Sequence, residues 1–132
     1  MYKEEEIISA TAILLSVAKA DEIIEQNELD SIKLILTDFF TLDSKDKINK
    51  LIEKASIKLE NSIDIFEFGK SLNNYWNYQD KVDFICCAFE VSYSDGELHY
   101  IEEHTIKKIA TILNVNHIDL INSKIEMKKY LT

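Results

Sequence analysis

The chain contains no proline and only two glycines, Gly69 and Gly96, in 132 residues. Proline and glycine set the tight turns between strands, so a β-rich chain of this length would need many more of them. Apolar residues recur instead at three- and four-residue spacing, and no window sustains period-2 alternation. The expectation is an all-α fold: a compact bundle of about seven helices with short loops.

The clearest of the seven segments is the third. Ile48, Leu51, Ile52, Ala55 and Leu59 make one apolar face, the lysines at 47, 50, 54 and 58 lie elsewhere, and Asp43 or Ser44 can cap its start. The segment before it, about 26–39, repeats the pattern through Leu29, Ile32, Ile35, Leu36 and Phe39. The first, about 4–20, opens with Glu4, Glu5 and Glu6, which complement a helix dipole. It is apolar on more than one face, as a central helix should be. A shorter helix, about 65–74, carries Phe66, Phe68 and Leu72, and an aromatic turn containing Tyr75, Trp76 and Tyr78 follows it. A second strongly apolar helix spans about 79–93. The sixth, about 99–113, carries Ile106, Ile109, Ala110 and Leu113, and the last, about 117–130, presents Ile118, Ile121 and Ile125.

The length fits one domain over residues 1–132, large enough to bury roughly two-thirds of its unfolded surface without disulfide or metal. Twenty-four acidic against fifteen basic residues give a net charge of −9. That charge repels phosphates, so no nucleic-acid partner is expected, and it suits cations or basic protein surfaces. The N-terminus lacks the pattern of a cleavable leader and no apolar run approaches the ~20 residues of a membrane span, so a cytoplasmic protein with no direct membrane insertion is expected. Cys86 and Cys87 are adjacent, pointing about 100° apart on a helix, a poor disulfide and no metal spacing; core packing is their default role.

The chain also repeats itself. Residues 17–37 laid over 91–111, an offset of 74, give seven identities: Val17/Val91, Asp21/Asp95, Glu28/Glu102, Ile32/Ile106, Lys33/Lys107, Ile35/Ile109 and Thr37/Thr111. Ile24/Leu98 is conservative. Each copy reads as an apolar helix, a turn beginning with Asp, and a second helix whose first turn holds Glu. Two pseudo-symmetric helical hairpins follow, about 4–40 and about 79–114.

The stretch Val17-Ala18-Lys19-Ala20-Asp21-Glu22-Ile23-Ile24-Glu25-Gln26-Asn27-Glu28 resembles the first motif of the tellurite-resistance TerB family. Val91 through Glu102 resembles the second, and the likeness covers nearly the whole chain. The resemblance implies an all-α fold and a stress-response role with a basic or membrane-associated protein partner. It also implies divalent-cation binding, Ca²⁺ or Mg²⁺, through Asp21, Glu28, Asp95 and Glu102. The family's glycine after the motif Asp is present as Gly96, but Glu22 stands there in the first copy.

An aspartate at the end of an apolar helix opposes the helix dipole by about 0.3–1 kcal/mol. Three readings offset that cost. In the first, Asp supports the turn and Glu28 and Glu102 act as third-position capping residues, with Glu25 and His99 as N-caps. In the second, Asp and Glu supply hard oxygens to a cation. In the third, the acids form a face for a basic partner, with no metal. The EF-hand pattern itself fails in both copies.

Asp95, His99 and Glu103 have helical spacing for a transition metal but lack a fourth ligand. His104 and His117 are isolated and expected in solvent. No catalytic motif occurs, so no enzyme is expected. Trp76 with Tyr75 and Tyr78 is either a recognition surface or a cap on the core.

Overall fold

The computed structural model describes residues 2–20, 23–94 and 96–131. Those residues form seven α-helices and no strand: α1 Glu4–Ala18, α2 Gln26–Asp38, α3 Lys45–Glu60, α4 Phe66–Tyr75, α5 Tyr78–Tyr93, α6 Tyr100–Ile112 and α7 His117–Leu131. Among the described residues no helix is long and apolar enough to cross a membrane.

Helix α1 is the axis of the fold, buried on every side from Glu6 to Ala18 except at Ser16. It packs on α2, α3, α4, α5 and α6, which is why its sequence is apolar nearly all round. Surrounding side chains such as Ile13, Leu14, Leu36, Leu51, Phe84 and Ile109 are almost wholly withdrawn from water. Each contributes about 1.5–3 kcal/mol of burial, set against the entropy of ordering the chain.

Packing obeys the sequence repeat. Helix α2 lies on α5 as α6 lies on α1, and α3 packs on α1 as α7 packs on α5. The symmetry thus extends from hairpins to three-helix units, α1–α3 and α5–α7. The second helices begin at 26 and 100, an offset of 100 − 26 = 74, but the third helices begin at 45 and 117, an offset of 117 − 45 = 72. Two residues are missing from the second linker.

The linkers differ accordingly. After α6, Asn114 takes φ 61°, and Val115 N–H donates to Ala110 C=O at 2.9 Å. That is the six-to-one closure of a left-handed helix end, with Asn at the position tolerant of positive φ. The longer α2–α3 linker places Thr41 at φ 57° and leads into Ser44, whose Oγ accepts Lys47 N–H at 3.3 Å. Ser44, not Asp43, is the α3 cap.

Among the described residues, helix α4 has no counterpart in the repeat. It lies outside α1 and α6 and crosses α6 closely at Gly69, where an added Cβ would fall on Ile112 Cγ2. Asn73 Nδ2 donates to the Ile112 carbonyl at 2.6 Å, satisfying one of the free carbonyls at the end of α6.

One open alternative is decided and one expectation is corrected. Trp76 is only 5 % exposed, with its centroid 5.2 Å from Phe84 and 5.8 Å from Tyr2, in an aromatic cluster that includes Phe39 and Phe40. Large rings at the α4–α5 junction gain more from burial than from a wet turn, so Trp76 caps the core and offers no recognition surface. On α7, Ile118 and Ile125 face solvent, and Leu120 and Ser123 are the buried residues instead. The two-residue shift in register moved the inner face, which the regular isoleucine spacing concealed.

Candidate functional site

Each motif turn is built between an apolar helix and an acid-bearing one. In the second, α5 ends at Tyr93, Ser94 Oγ donates to Val91 C=O at 2.7 Å, and Gly96 N–H donates to Tyr93 C=O at 2.9 Å. Gly96 then takes φ +96°, a conformation that a side chain would strain. In the first turn, Lys19 N–H donates to Leu15 C=O at 2.9 Å and Ala20 N–H to Val17 C=O at 3.2 Å. Asp21, Glu22 and Asp95 lie outside the described residues.

The glutamates are placed by the helices that follow. Glu25 and His99 are the extended N-cap residues of α2 and α6, which puts Glu28 and Glu102 at the third helical position. Glu28 is 1 % exposed and Glu102 is 0 % exposed. Oε1 of Glu28 accepts the Glu25 backbone N–H at 2.9 Å, the reciprocal bond of a capping box. Its Oε2 is buried and has no hydrogen-bond partner among the described residues.

Capping therefore explains half of the Glu28 carboxylate. A buried oxygen left unsatisfied costs about 1–3 kcal/mol, and a buried charge with no counter-charge costs several more. A glutamate kept only as a cap gains nothing from full burial, since a partly exposed side chain can cap equally well. A cation or a hydrogen-bond donor at that oxygen would offset the cost.

The described residues do not gather the acids into one centre. They hold no cluster of three or more His, Cys, Asp or Glu able to bind a metal, and α2 and α6 are not packed on each other. Glu28 and Glu102 each open a different helix, one after each motif turn.

Around the second turn, Gly96, Leu98, Tyr100 and Glu103 face Lys124 and Ile125 of α7 across a cleft of about 630 Å³. Glu103 forms an ion pair with Lys124. That contact draws its carboxylate away from the metal set considered with Asp95 and His99. His104 and His117 are exposed, as expected.

A family model described as tellurite resistance protein TerB matches residues 8–125. The chain belongs to the TerB family. No curated protein and no solved structure matches it. The matched span of this TerB chain runs from α1 into α7 and includes both motif turns.

Sequence reasoning missed some placements. Glu6 looked like a dipole residue only, yet it is buried and its Oε2 accepts the Lys3 N–H at 2.9 Å, the same third-position bond that Glu28 makes. Tyr78 was grouped with the aromatic turn. In fact its hydroxyl donates to Asp119 Oδ2 at 2.6 Å and accepts Asn116 N–H at 3.1 Å, latching α5 to the start of α7. Only the spacing of Glu6 to the helix start carried a signal for the first, and nothing local could have revealed the second.

Proposed function

We propose that this TerB-family protein is a non-catalytic, cytoplasmic stress-response component that binds divalent cations, Ca²⁺ or Mg²⁺, at its two motif turns. Glu28 and Glu102 are the buried carboxylates of the two sites, and Asp21 and Asp95, seven residues earlier in each copy, are their sequence-assigned partners. The observation that carries the reading is the buried Oε2 of Glu28, which has no hydrogen-bond partner among the described residues while Oε1 is used by the cap. A bound ion would supply the missing positive charge and tie the turn to the helix after it. The net charge of −9 supports a basic protein partner, and TerB membership supports a place in a larger, membrane-associated assembly.

The test is thermal unfolding, followed by circular dichroism, in EDTA and in rising Ca²⁺ or Mg²⁺. Binding to the folded state stabilises by about 2.7 kcal/mol at a hundredfold excess over Kd. For a chain of this size that is a rise of about 5–10 °C. The rise should vanish when Glu28→Gln and Glu102→Gln are combined. No rise at millimolar ion would leave both glutamates as caps and make the acidic, metal-independent docking face the better reading.

A further inference from the structure

Among the described residues, one helix pair of the internal symmetry is covered and its counterpart is bare. On the covered side, α4 lies across α1 and α6. Its approach runs along Lys108, which pairs with Asp64 at 3.3 Å just before α4, and Ile112, which meets Gly69 and Asn73. On α1 it reaches Ser9, which shares a hollow with Glu67, Phe68 and Ser71. The offset of 74 carries Lys108 and Ile112 onto Leu34 and Asp38 of α2, and Ser9, Ile13 and Ser16 onto Asp83, Cys87 and Glu90 of α5. Helices α2 and α5 pack together as α6 and α1 do, yet among the described residues no helix crosses them from outside.

The bare face has the marks of a surface waiting for cover. Leu34 is 55 % exposed beside a hollow of about 300 Å³ that it lines with Asn27, Asp30, Ser31, Glu90 and Ser94. Glu90 is half-buried there with no base lining the hollow, and partial burial, with repulsion from Asp38, raises its pKa. Asp30 and Glu90 line the hollow, Asp38 and Asp83 stand at the positions that the offset assigns to this face, and Lys33 flanks Leu34 on the side toward α3. At the places of the covered face equivalent to these four acids stand His104, Ile112, Ser9 and Ser16.

We propose that the α2–α5 face is a docking site for an amphipathic helix of a partner protein, one with a small residue at its crossing point, apolar flanks and a basic rim. The placement follows α4 on the equivalent face, and the basic rim follows from the four acids. A second copy of this chain is a poor occupant, because two such faces repel each other. This proposal is independent of cation binding at Glu28 and Glu102 and survives its failure.

The probe is a peptide copying residues 63–77, stapled as a helix through positions 70 and 74, with Glu67→Lys, Ser71→Lys and Asn73→Lys. By the symmetry, the first two lysines face Asp83 and the third faces Asp38. Fluorescence anisotropy should show it binding at least tenfold more tightly than the stapled unmodified peptide, with affinity falling as salt rises. Leu34→Asp should weaken binding at least tenfold with the melting temperature held, because Leu34 is exposed. The proposal is overturned if the lysine peptide does not bind at 1 mM, if a scrambled peptide of equal charge binds as well, or if Leu34→Asp binds unchanged.

Discussion

The backbone N–H of Glu25 donates to Oε1 of Glu28 at 2.9 Å, and the other oxygen of that carboxylate is buried with no hydrogen-bond partner among the described residues. Cap and charge can therefore be separated. Glu28→Gln keeps an acceptor for Glu25 and removes the charge; Glu28→Ala removes both. In EDTA the Gln variant should melt at or above wild type, because it sheds an uncompensated buried charge and keeps the cap acceptor, and the Ala variant should be about 1–2 kcal/mol less stable than the Gln variant. A cation draws on the charge of the carboxylate as well as on its oxygens, so both variants should weaken any ion-dependent rise at the first turn.

The two glycines should fail for opposite reasons. Gly69→Ala drives a Cβ onto Ile112 Cγ2, with Ile112 Cβ behind it at 3.3 Å, so α4 must shift from α6. The cost expected is about 1–3 kcal/mol from overpacking. Gly96→Ala meets no atom within 4 Å but keeps φ +96°, so only backbone strain applies, about 1 kcal/mol. Urea unfolding of the two variants measures both; a Gly69→Ala protein as stable as wild type would contradict the close α4–α6 crossing.

Both thiols should be slow to react. Burial raises the pKa of Cys86 and of Cys87, and Glu90 raises Cys87 further. A raised thiol pKa means less thiolate at any pH below it, so an aromatic disulfide reagent at pH 8 should react more slowly than with free cysteine. Cys86, the less buried, should react first, and denaturant should expose both.

Glu90 gives a pH signature of known sign. Its folded-state pKa is raised from the ordinary 4.5, first by burial and then by Asp38. Its contribution to stability is therefore fully present below about pH 4.5 and is lost as pH rises through the folded value. Glu90→Gln should raise the melting temperature at pH 7 by about 1 °C, with the gain absent at pH 4. A gain at pH 4 equal to that at pH 7 would contradict the assignment.

What the sequence made legible follows from what repeats locally. The α3 face of Ile48, Leu51 and Ala55 is buried where its spacing put it, and α1 is central because residues such as Ile13, Leu14 and Leu15 leave it no polar side. The offset of 74 exposed the pseudo-symmetry because Val17, Glu28, Ile32 and Ile35 serve the same packing as Val91, Glu102, Ile106 and Ile109. It did not reach α7, where Leu120 and Ser123 replace Ile48 and Leu51 at an offset of 72 without identity. Full burial of Glu28 was hidden as well, since capping spacing is the same for an exposed and a buried glutamate. The bare α2–α5 face needed α4 in place before its counterpart could be recognised.

The most direct test of the central claim is calorimetric titration of Ca²⁺, then Mg²⁺, into chelator-stripped protein. The series is wild type, Glu28→Gln, Glu102→Gln and the double variant, each checked for helical content. Two separate turns predict two sites in wild type, one in each single variant and none in the double. Absence of binding at millimolar ion, or a stoichiometry that none of the substitutions changes, would contradict it.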